Sequence, residues 1–149
     1  MLVRLLYASR ATDAVSQEGL LKILSQSKVN NPGSGITGVL CSSGPIFLQV
    51  LEGGRMQVNA LYNHIAADPR HKDVVILAYE EISERKFACW SMGLVNLERI
   101  NPSLLLKYSE SATLDPYRVS GKASMALFDE LMATASIMGQ ANASPPAAR

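Results

Sequence analysis

The sequence is poor in the residue types on which the most recognisable protein sites depend. Its 149 residues include two cysteines, two histidines and one tryptophan, and only 6% of them are aromatic. Cys41 and Cys89 do not stand at a CxxC spacing, so neither a disulfide framework nor a zinc site is indicated. We interpret both as packing residues and expect a reduced, cytoplasmic protein.

The sequence also has no large excess of positive or negative charge and no long apolar run. The chain has 14 Lys and Arg residues against 13 Asp and Glu residues, and no basic block occurs. We therefore expect no nucleic-acid partner, because binding to phosphates needs clustered cations. No apolar run approaches the roughly 18 residues that span a membrane, and the first residues lack the layout of a signal peptide. These absences, with 48% hydrophobic residues, favour one soluble globular domain without a membrane partner.

The motifs give little support for a hydrolytic enzyme or a metal site. The two histidines, His64 and His71, are seven residues apart, and neither an HExxH motif, a glycine-rich phosphate loop nor a nucleophile elbow occurs. We expect His71 to be a surface or helix-end residue. For His64, which stands beside Ile65 in a predicted helix, a ligand contact and a plain surface position both remain open.

Apolar periodicity predicts five strands and four helices. The predicted strands cover residues 2–9, 36–43, 45–53, 73–82 and 90–97, and the predicted helices cover residues 16–28, 54–67, 101–109 and 122–138. Val15 and Met56 share the helical spacing of the apolar residues in the first two helices. The last residues, 141–149, are small and include prolines, which predicts a disordered tail.

The order of the first seven elements, β-α-β-β-α-β-β, predicts an α+β fold of the ferredoxin-like type with a mixed five-stranded sheet. Two helices would cover one face, and right-handed crossovers would set the first and third strands side by side. Ile46, Leu48 and Val50 make the other face of the third strand apolar too. We therefore expect the C-terminal helices to cover that face. The place of the fifth strand in the sheet remains open.

One predicted buried strand carries an amide. In GPIFLQVLEGG, residues 44–54, strand alternation puts Gln49 on the same face as Phe47 and Leu51, which the two helices would cover. An unpaired buried amide costs about 1–3 kcal/mol, so Gln49 needs partners, and Tyr7 would lie beside it. Amides present a donor and an acceptor together, which suits a flavin, a pterin or a nucleobase. Further polar residues in apolar surroundings are Ser9, Asn30, Asn31 and Ser91.

Five separated motifs resemble those of the BLUF domain, a blue-light sensor that uses a flavin: LLYASR, NNPGSGITGVL, FLQVLEG, ADPRH and FACWSMGLV. They occur in the family's order and spacing over residues 1 to about 97. The remainder, with LLLKYS and a later helix, is similar to the short stand-alone members, which carry two extra helices and no fused output domain. The resemblance implies a flavin-binding domain over residues 1–97 and a helical cap or output segment over residues 98–140.

The resemblance also implies the cofactor and its contacts. In the family the ring of a non-covalent flavin lies between two helices, which places Ile23 and Ile65 on its two faces. Asn31 would bond the C4=O/N3 edge of the ring, and Asn30 would support the C2=O side. We expect FAD from family habit, with FMN and riboflavin as alternatives.

Polar residues around the second helix complete the implied contacts. Asp68, and more weakly Arg70, match polar residues near the ring or the ribityl chain. Relatives carry arginine at the position of His64, so His64 is the corresponding candidate for a ribityl or phosphate contact.

The resemblance implies a photochemical role for five residues. Gln49 would bond both the flavin and Tyr7, and Tyr7 would give an electron and a proton when the flavin is excited. Gln49 would then be left rotated or tautomerised. Trp90, Ser91 and Met92 on the last strand would relay this change to the C-terminal helices. The output would be control of a partner protein and not an enzymatic reaction.

Relatives in the family often act on response-regulator-like or cyclic-dinucleotide-handling proteins. The resemblance therefore implies such a partner in trans, together with a homo-oligomer. Two other classes of function remain open. A ferredoxin-like enzyme of acylphosphatase type would use Arg10 and Asn31, although no glycine-rich loop follows the first strand. In a light-independent regulatory or oligomerisation module, Gln49 would be a satisfied core amide.

Overall fold

A computed structural model describes residues 1–25 and 35–134 of the chain. Its strands are β1 (Leu2–Ala11), β2 (Thr37–Ser43), β3 (Ile46–Gly54), β4 (His71–Ile82) and β5 (Gly93–Asn96). Its helices are α1 (Ala14–Ser25), α2 (Arg55–Ala66), α3 (Pro102–Leu106) and α4 (Gly121–Ala133), and a single 3-10 turn spans Leu97–Arg99.

The five strands form one mixed sheet in the order β4-β1-β3-β2-β5. Neighbouring strands are antiparallel, except that β2 and β5 are parallel. β1 and β3 are therefore adjacent as predicted, and the ferredoxin-like α+β fold is confirmed. The fifth strand, whose place could not be assigned from the sequence, is an edge strand beside β2.

Two glycines explain the geometry of the β2–β3 hairpin. Gly44, between the strands, has a φ of +57°, a left-handed conformation that favours glycine. Gly38 in β2 lies so close to β3 that a Cβ atom would stand 2.0 Å from the carbonyl oxygen of Val50. Any side chain at Gly38 would push the strands apart, so this glycine allows their close pairing.

The helices α1 and α2 cover one face of the sheet, called here the helix-covered face. They bury apolar side chains against alternate residues of β1, and the shared cluster includes Leu20, Leu24, Val58, Ile65, Val3, Leu5 and Tyr7. Because successive side chains of a strand point to opposite faces, this packing assigns the odd-numbered residues of β1 and β3 to the helix-covered face.

The helices α3 and α4 cover the opposite face, called here the cap face. Their buried residues pack on the even-numbered residues of β3, and the cluster includes Leu105, Leu127, Phe128, Leu131, Leu48 and Val50. The prediction that the C-terminal helices cover this face is confirmed, and it explains why β3 is apolar on both sides.

Side-chain caps fix where helices begin. The carboxylate of Asp13 accepts a hydrogen bond from the backbone N–H of Ser16 (2.7 Å), so α1 begins directly after Asp13 and earlier than predicted. Ser120 caps α4 by accepting from the backbone N–H of Ala123 (3.0 Å). Asn101 caps α3 in the same way, as its position before a proline predicts.

The structure corrects two further predictions, one about the start of β5 and one about two residues predicted to share the apolar spacing of their helices. β5 begins at Gly93 and not at residue 90, because Trp90 forms an isolated β-bridge and the chain bends through Ser91 and Met92 before the strand. Val15 and Met56 are exposed and do not face the core, since each lies in the first turn of its helix.

Several predictions lie outside the described residues. They concern the end of the first helix, Asn30 and Asn31, the end of the last helix and the tail at 141–149. The predicted domain limits at residues 97 and 140 stay predictions. Within residues 1–25 and 35–134, no helix has both the length and the apolar character needed to cross a membrane.

Candidate functional site

Two polar side chains meet at the centre of the helix-covered face. Tyr7 of β1 is the cross-strand neighbour of Gln49 of β3, and both side chains are fully buried. The Tyr7 hydroxyl donates a hydrogen bond to Gln49 Oε1. The predicted proximity of these residues is confirmed, and it follows from the pairing of β1 with β3.

The nitrogen of the Gln49 amide contacts a thioether. Gln49 Nε2 lies 3.3 Å from Met92 Sδ and donates to it, and sulfur is a weak acceptor. A primary amide has two donor hydrogens and two acceptor lone pairs. Among the described residues, the Tyr7 hydroxyl and this sulfur are its hydrogen-bond partners. The amide therefore retains capacity to bind a polar ligand.

The bend before β5 sends Met92 and Trp90 to opposite faces of the sheet. Met92 is fully buried in the cluster of the helix-covered face, whereas Trp90 is half-buried against the cluster of the cap face. The backbone N–H of Gly38 donates to the carbonyl oxygen of Trp90 (3.0 Å), which ties the bend to β2. Ser91 lies between them and is half-buried. Among the three predicted relay residues, Met92 contacts Gln49 through the hydrogen bond from Gln49 Nε2.

The surroundings of Tyr7 keep its phenol neutral. Burial, and to a lesser extent the neighbouring Tyr62, raises the pKa of Tyr7 far above its usual value. The two rings meet edge to face, with centroids 5.5 Å apart and an interplanar angle of 70°. Tyr7 therefore remains a hydrogen-bond donor at neutral pH. Tyr62 was not among the predicted site residues, although it stands three residues before Ile65 on α2 and so on the same helix side.

Asp68 and Arg70 form a two-point ion pair directly after α2. Arg70 Nη2 lies 2.6 Å from Asp68 Oδ2, and Arg70 Nε lies 2.9 Å from Asp68 Oδ1. These hydrogen bonds lower the pKa of Asp68 to about 2. A Cβ atom at Gly19 of α1 would stand 3.3 Å from Arg70 Nη1, so the guanidinium lies against α1. The pair thus connects the end of α2 with α1.

The prediction that His71 is a surface or helix-end residue is wrong. His71 is the first residue of β4 and pairs with Ala11 of β1, which puts its ring on the helix-covered face with 6% exposure. His71 Nε2 lies 2.6 Å from the carbonyl oxygen of Ile65, near the end of α2. A carbonyl can only accept, so Nε2 carries the proton and donates. The sequence signal was the position of His71 at the start of an apolar strand.

Two buried polar atoms on the helix-covered face have no hydrogen-bond partner among the described residues. They are Ser9 Oγ and His71 Nδ1. Ser9 follows Tyr7 on the same side of β1, and His71 pairs with Ala11, two residues further along. Buried polar atoms in native proteins almost always have partners. A flavin, which carries hydroxyl and amide groups on one molecule, fits this row of polar atoms together with the spare capacity of Gln49.

The remaining predicted ligand residues are distributed unevenly. Ile65 is buried in the same cluster as Tyr7, whereas Ile23 of α1 is half-buried and lies outside that cluster. His64 is exposed on α2. Asn30 and Asn31 lie outside the described residues. Contacts of all five with a flavin stay predictions.

The two cysteines do not enter the site. Cys41 of β2 is fully buried in the cap-face cluster, and burial raises the pKa of its thiol well above the usual value. Cys89 is exposed beside Trp90. Among the described residues no group of three or more His, Cys, Asp or Glu side chains could hold a metal ion.

Comparison with known proteins identifies a family. The family described as BLUF, sensors of blue-light using FAD, matches residues 2–93, which is more than half of the chain. FAD is thus the cofactor by which the family is defined, and the flavin prediction is confirmed.

Relatives and solved structures agree with this match. The chain is 34% identical over 97 residues to the blue light- and temperature-regulated antirepressor BluF of Escherichia coli strain K12; the match covers 65% of this chain and 24% of BluF, so the chain spans about a quarter of that relative. The photo-activated state of BlsA has 31% identity and a TM-score of 0.77, with 89% of this chain and 95% of that chain covered. The dark-state structure of BlrB, a BLUF protein, has 31% identity and a TM-score of 0.73, with 90% and 96% covered.

Proposed function

The chain belongs to the BLUF family of sensors of blue light using FAD, and from that premise we propose that it is a photoreceptor in which Gln49 changes its hydrogen bonds under blue light. The observation that carries the proposal is the fully buried amide of Gln49, held between the Tyr7 hydroxyl and Met92 Sδ, with hydrogen-bonding capacity that the described residues leave unused. An amide in that position can transmit a change at a bound ligand to Met92, which directly precedes β5.

Residues of two kinds would hold the flavin. Ile23 and Ile65 would pack on the two faces of the ring, and Asn30 and Asn31 would bond its polar edge beside Gln49. The family resemblance supports these contacts. FAD is the expected form, and FMN or riboflavin would offer the same ring to these residues.

Further polar residues would hold the chain of the cofactor. Ser9 Oγ and His71 Nδ1 are buried atoms in need of partners, so they suit hydroxyl groups. The Asp68 and Arg70 pair suits the ribityl chain, and the exposed His64 suits a group that extends from the site towards solvent.

The cofactor and the protein have separate roles in the proposed photochemistry. The bound flavin supplies absorption of blue light and an excited state that is a strong oxidant. Tyr7 is the proposed source of an electron and a proton, because its neutral hydroxyl is buried one hydrogen bond away from Gln49. The proton of the Tyr7 hydroxyl can move to Gln49 Oε1 along that bond.

Gln49 has two arrangements that differ in which atom faces Tyr7. With Oε1 towards Tyr7, the phenol donates and Nε2 points at Met92. After a half-turn of the amide or its tautomerisation, the group facing Tyr7 becomes a donor, and the phenol must accept. After a half-turn, the oxygen would face Met92 and would find no donor there, because a thioether only accepts. After tautomerisation, the nitrogen facing Met92 would carry one hydrogen instead of two. The contact between Gln49 and Met92 therefore differs between the two arrangements.

The change at Met92 is proposed to reach a partner protein through the C-terminal helices. Met92 directly precedes β5, which is followed by the 3-10 turn and α3. The relative named as an antirepressor supports control of another protein in trans. BlsA and BlrB, which this chain covers almost entirely, support a photoreceptor that is not an enzyme. A response-regulator-like or cyclic-dinucleotide-handling partner, a homo-oligomer and a cytoplasmic location stay predictions.

The position of Arg10 argues against the acylphosphatase-type enzyme, for which Arg10 was the candidate arginine. Arg10 belongs to the even-numbered residues of β1 and so points away from the face of Tyr7. Its guanidinium lies 4.2 Å from the ring centroid of Tyr117, and its Nε lies 3.4 Å from Asp73 Oδ2. Arg10 therefore connects the segment between α3 and α4, to which Tyr117 belongs, with the start of β4.

Illumination of the purified chain loaded with FAD tests the proposed function. We expect a reversible red shift of the flavin absorption band under blue light. Gln49→Leu should retain the flavin and lose the shift, because leucine cannot reverse a hydrogen bond. Gln57→Leu, the same change at an exposed position of α2, is the matched control and should behave as the original chain.

Two results would contradict this assignment. A photocycle that survives in Gln49→Leu would remove Gln49 from the mechanism. Tyr7→Phe should bind FAD and lose the shift, and a normal yield of the shifted state in that variant would make Trp90 the first alternative donor. A chain that takes up no flavin would favour the light-independent module.

A further inference from the structure

A buried carboxylate on the cap face holds a segment that has no regular structure. Glu52 of β3 is fully buried, on the same side of the strand as Leu48 and Val50. Its Oε1 accepts from the backbone N–H of Phe87 (2.8 Å), and its Oε2 accepts from the backbone N–H of Lys86 (3.1 Å). Both donors lie in the irregular connection between β4 and β5.

Arg4 completes the environment of this carboxylate. Arg4 Nε lies 2.7 Å from Glu52 Oε2, and Arg4 Nη1 lies 3.2 Å from Glu80 Oε2 on β4. A buried charge is tolerated only when it is paired and hydrogen-bonded. Glu52 meets this condition with one guanidinium and two backbone donors. The two backbone N–H groups in turn find in Glu52 the acceptor that no strand ladder offers them.

The segment held by Glu52 contacts α4, one of the two C-terminal helices. Phe87 is fully buried and meets Phe128 of α4 edge to face, with centroids 6.0 Å apart. Lys86 Nζ lies 3.2 Å from Asp129 Oδ2, also on α4. We call residues 85–87 the anchored segment.

Arg85 connects the anchored segment to the start of β2. Arg85 Nη1 donates to the carbonyl oxygen of Gly35 (2.5 Å) and to Thr37 Oγ1 (2.9 Å). Thr37 is the cross-strand neighbour of Glu52. The anchored segment thus bridges β2, β3 and α4.

The same segment is only a few residues away from the contact with Gln49. The carbonyl oxygen of Phe87 accepts from the backbone N–H of Trp90 (3.1 Å), and the carbonyl oxygen of Trp90 accepts from Gly38. Met92, two residues further, receives the hydrogen bond of Gln49. A shift of Met92 can therefore be passed to Phe87 through the chain between Trp90 and Phe87, besides the direct continuation of the chain into β5.

We propose that Glu52 is a positioning residue that fixes the anchored segment, so that a movement at Met92 changes the packing of Phe87 on α4. This inference rests on the proposed light-sensing function and adds a route and a residue to it. Without the carboxylate, the segment would follow Met92 freely and the ring of Phe87 would lose its defined place against Phe128.

Glu52→Gln in the full chain loaded with FAD tests the proposal, with Glu80→Gln as the matched control. Glutamine keeps the size of Glu52 but presents an N–H₂ group to donors. Glu80→Gln makes the same change on the other partner of Arg4 and leaves the hydrogen bonds from Glu52 to the anchored segment in place. The measurements are the light-induced red shift and backbone amide exchange in darkness and in light.

In Glu52→Gln we expect the red shift to persist, because Tyr7 and Gln49 are unchanged. At least one of the amides of Lys86 and Phe87 should exchange roughly tenfold faster or more, because glutamine keeps only one of the two accepting oxygens and that oxygen is no longer charged. The difference in exchange of α4 between light and darkness should be lost. Glu80→Gln should behave as the original chain in all three measurements.

Three outcomes in the two variants would overturn the inference. They are a light-dependent difference in α4 that survives in Glu52→Gln, an equal loss in Glu80→Gln, and loss of the red shift itself in Glu52→Gln. An original chain that shows the red shift without any change in α4 would also overturn it while leaving the proposed function intact. An original chain without a red shift would overturn the proposed function, and this inference with it.

A second variant keeps the test decisive if Glu52→Gln does not fold. Phe128→Leu removes the ring contact and leaves Glu52 in place. We expect the amides of Lys86 and Phe87 to stay protected and the light-dependent difference in α4 to shrink. An unchanged difference in α4 would contradict a route through Phe87.

Discussion

The two faces of the sheet differ in how completely their buried polar groups are satisfied. On the helix-covered face, Ser9 Oγ and His71 Nδ1 have no partner among the described residues, and Gln49 retains unused capacity. On the cap face, the carboxylate of Glu52 accepts from a guanidinium and two backbone N–H groups. The first face is thus prepared for a ligand, and the second is closed by the protein itself.

One buried atom of the cap face is an exception that has a local explanation. Ser124 Oγ of α4 is buried and has no partner among the described residues. A serine inside a helix can turn its hydroxyl towards the carbonyl oxygen four residues earlier, which here belongs to Ser120. Ser124 therefore needs no ligand, whereas Ser9 in a strand has no such neighbour in its own chain segment.

The largest expected effect concerns the packing of the cap face. Phe128→Ala should lower the free energy of unfolding by about 3–5 kcal/mol, because the ring is fully buried and leaves a cavity. Urea denaturation of the chain loaded with FAD would measure this loss. Met56→Ala, at an exposed residue of α2, should change the free energy by less than about 0.5 kcal/mol. A small effect of Phe128→Ala would mean that α4 is not a structural cover.

The next effect concerns the pair at the centre of the helix-covered face. In the chain without FAD, Tyr7→Phe and Gln49→Leu should each cost about 1–3 kcal/mol of unfolding free energy, since each leaves a buried partner unsatisfied. The double variant should cost clearly less than the sum, because both partners are then apolar. Urea denaturation of the four proteins forms a double-mutant cycle. Additive losses of unfolding free energy would show that the two side chains contribute to stability independently.

A smaller effect distinguishes the two unpartnered serines. Without FAD, Ser9→Ala should raise the free energy of unfolding by up to about 1 kcal/mol, because it removes an unsatisfied buried hydroxyl. With FAD bound, this gain should disappear if the cofactor satisfies Ser9. Ser124→Ala should have the same effect with and without FAD. Thermal unfolding in both states measures the difference, and an equal response of Ser9→Ala in the two states would exclude a contact of Ser9 with the cofactor.

The smallest effect concerns the ion pair beside the helix-covered face. The hydrogen bonds of Arg70 lower the pKa of Asp68 to about 2, so the folded state binds this proton less readily than the unfolded state. The contribution is present above the usual aspartate pKa of about 4 and is lost as the pH falls from about 4 to 2. It should stay below about 1 kcal/mol, because Arg70 is partly exposed to solvent.

Comparison of unfolding at pH values across that window measures the ion pair. Asp68→Asn and Arg70→Met should each remove the same part of the pH dependence, since either change breaks the pair. A pH dependence that persists in both variants would have to come from other carboxylates. In that case the pair would contribute nothing to stability.

The central pair of the site could be predicted because it depends on local patterns. Alternation along β3 fixes the face of Gln49, and the order of elements sets β1 beside β3. Tyr7 and Gln49 follow from these two rules. The packing of α3 and α4 could be predicted in the same way from the second apolar row of β3.

His71 and Glu52 could not be assigned roles from the same patterns. His71 is buried because the start of β4 extends two residues beyond the predicted strand and pairs with Ala11. Alternation does place Glu52 beside Leu48 and Val50, which was a usable signal of an inward carboxylate. Its partners, however, include backbone groups of an irregular segment, and no periodicity describes such a segment.

The sequence by itself determined the elements, the faces of the strands and the motifs that resemble the BLUF family, because these are properties of residues close together in the chain. Only the tertiary structure decided that β5 lies beside β2, that Met92 and Trp90 occupy opposite faces, and that Glu52 binds the segment before them. These features depend on distances between residues far apart in the chain. Such distances are set by the packing of the whole domain, where each buried polar group competes for a limited number of partners.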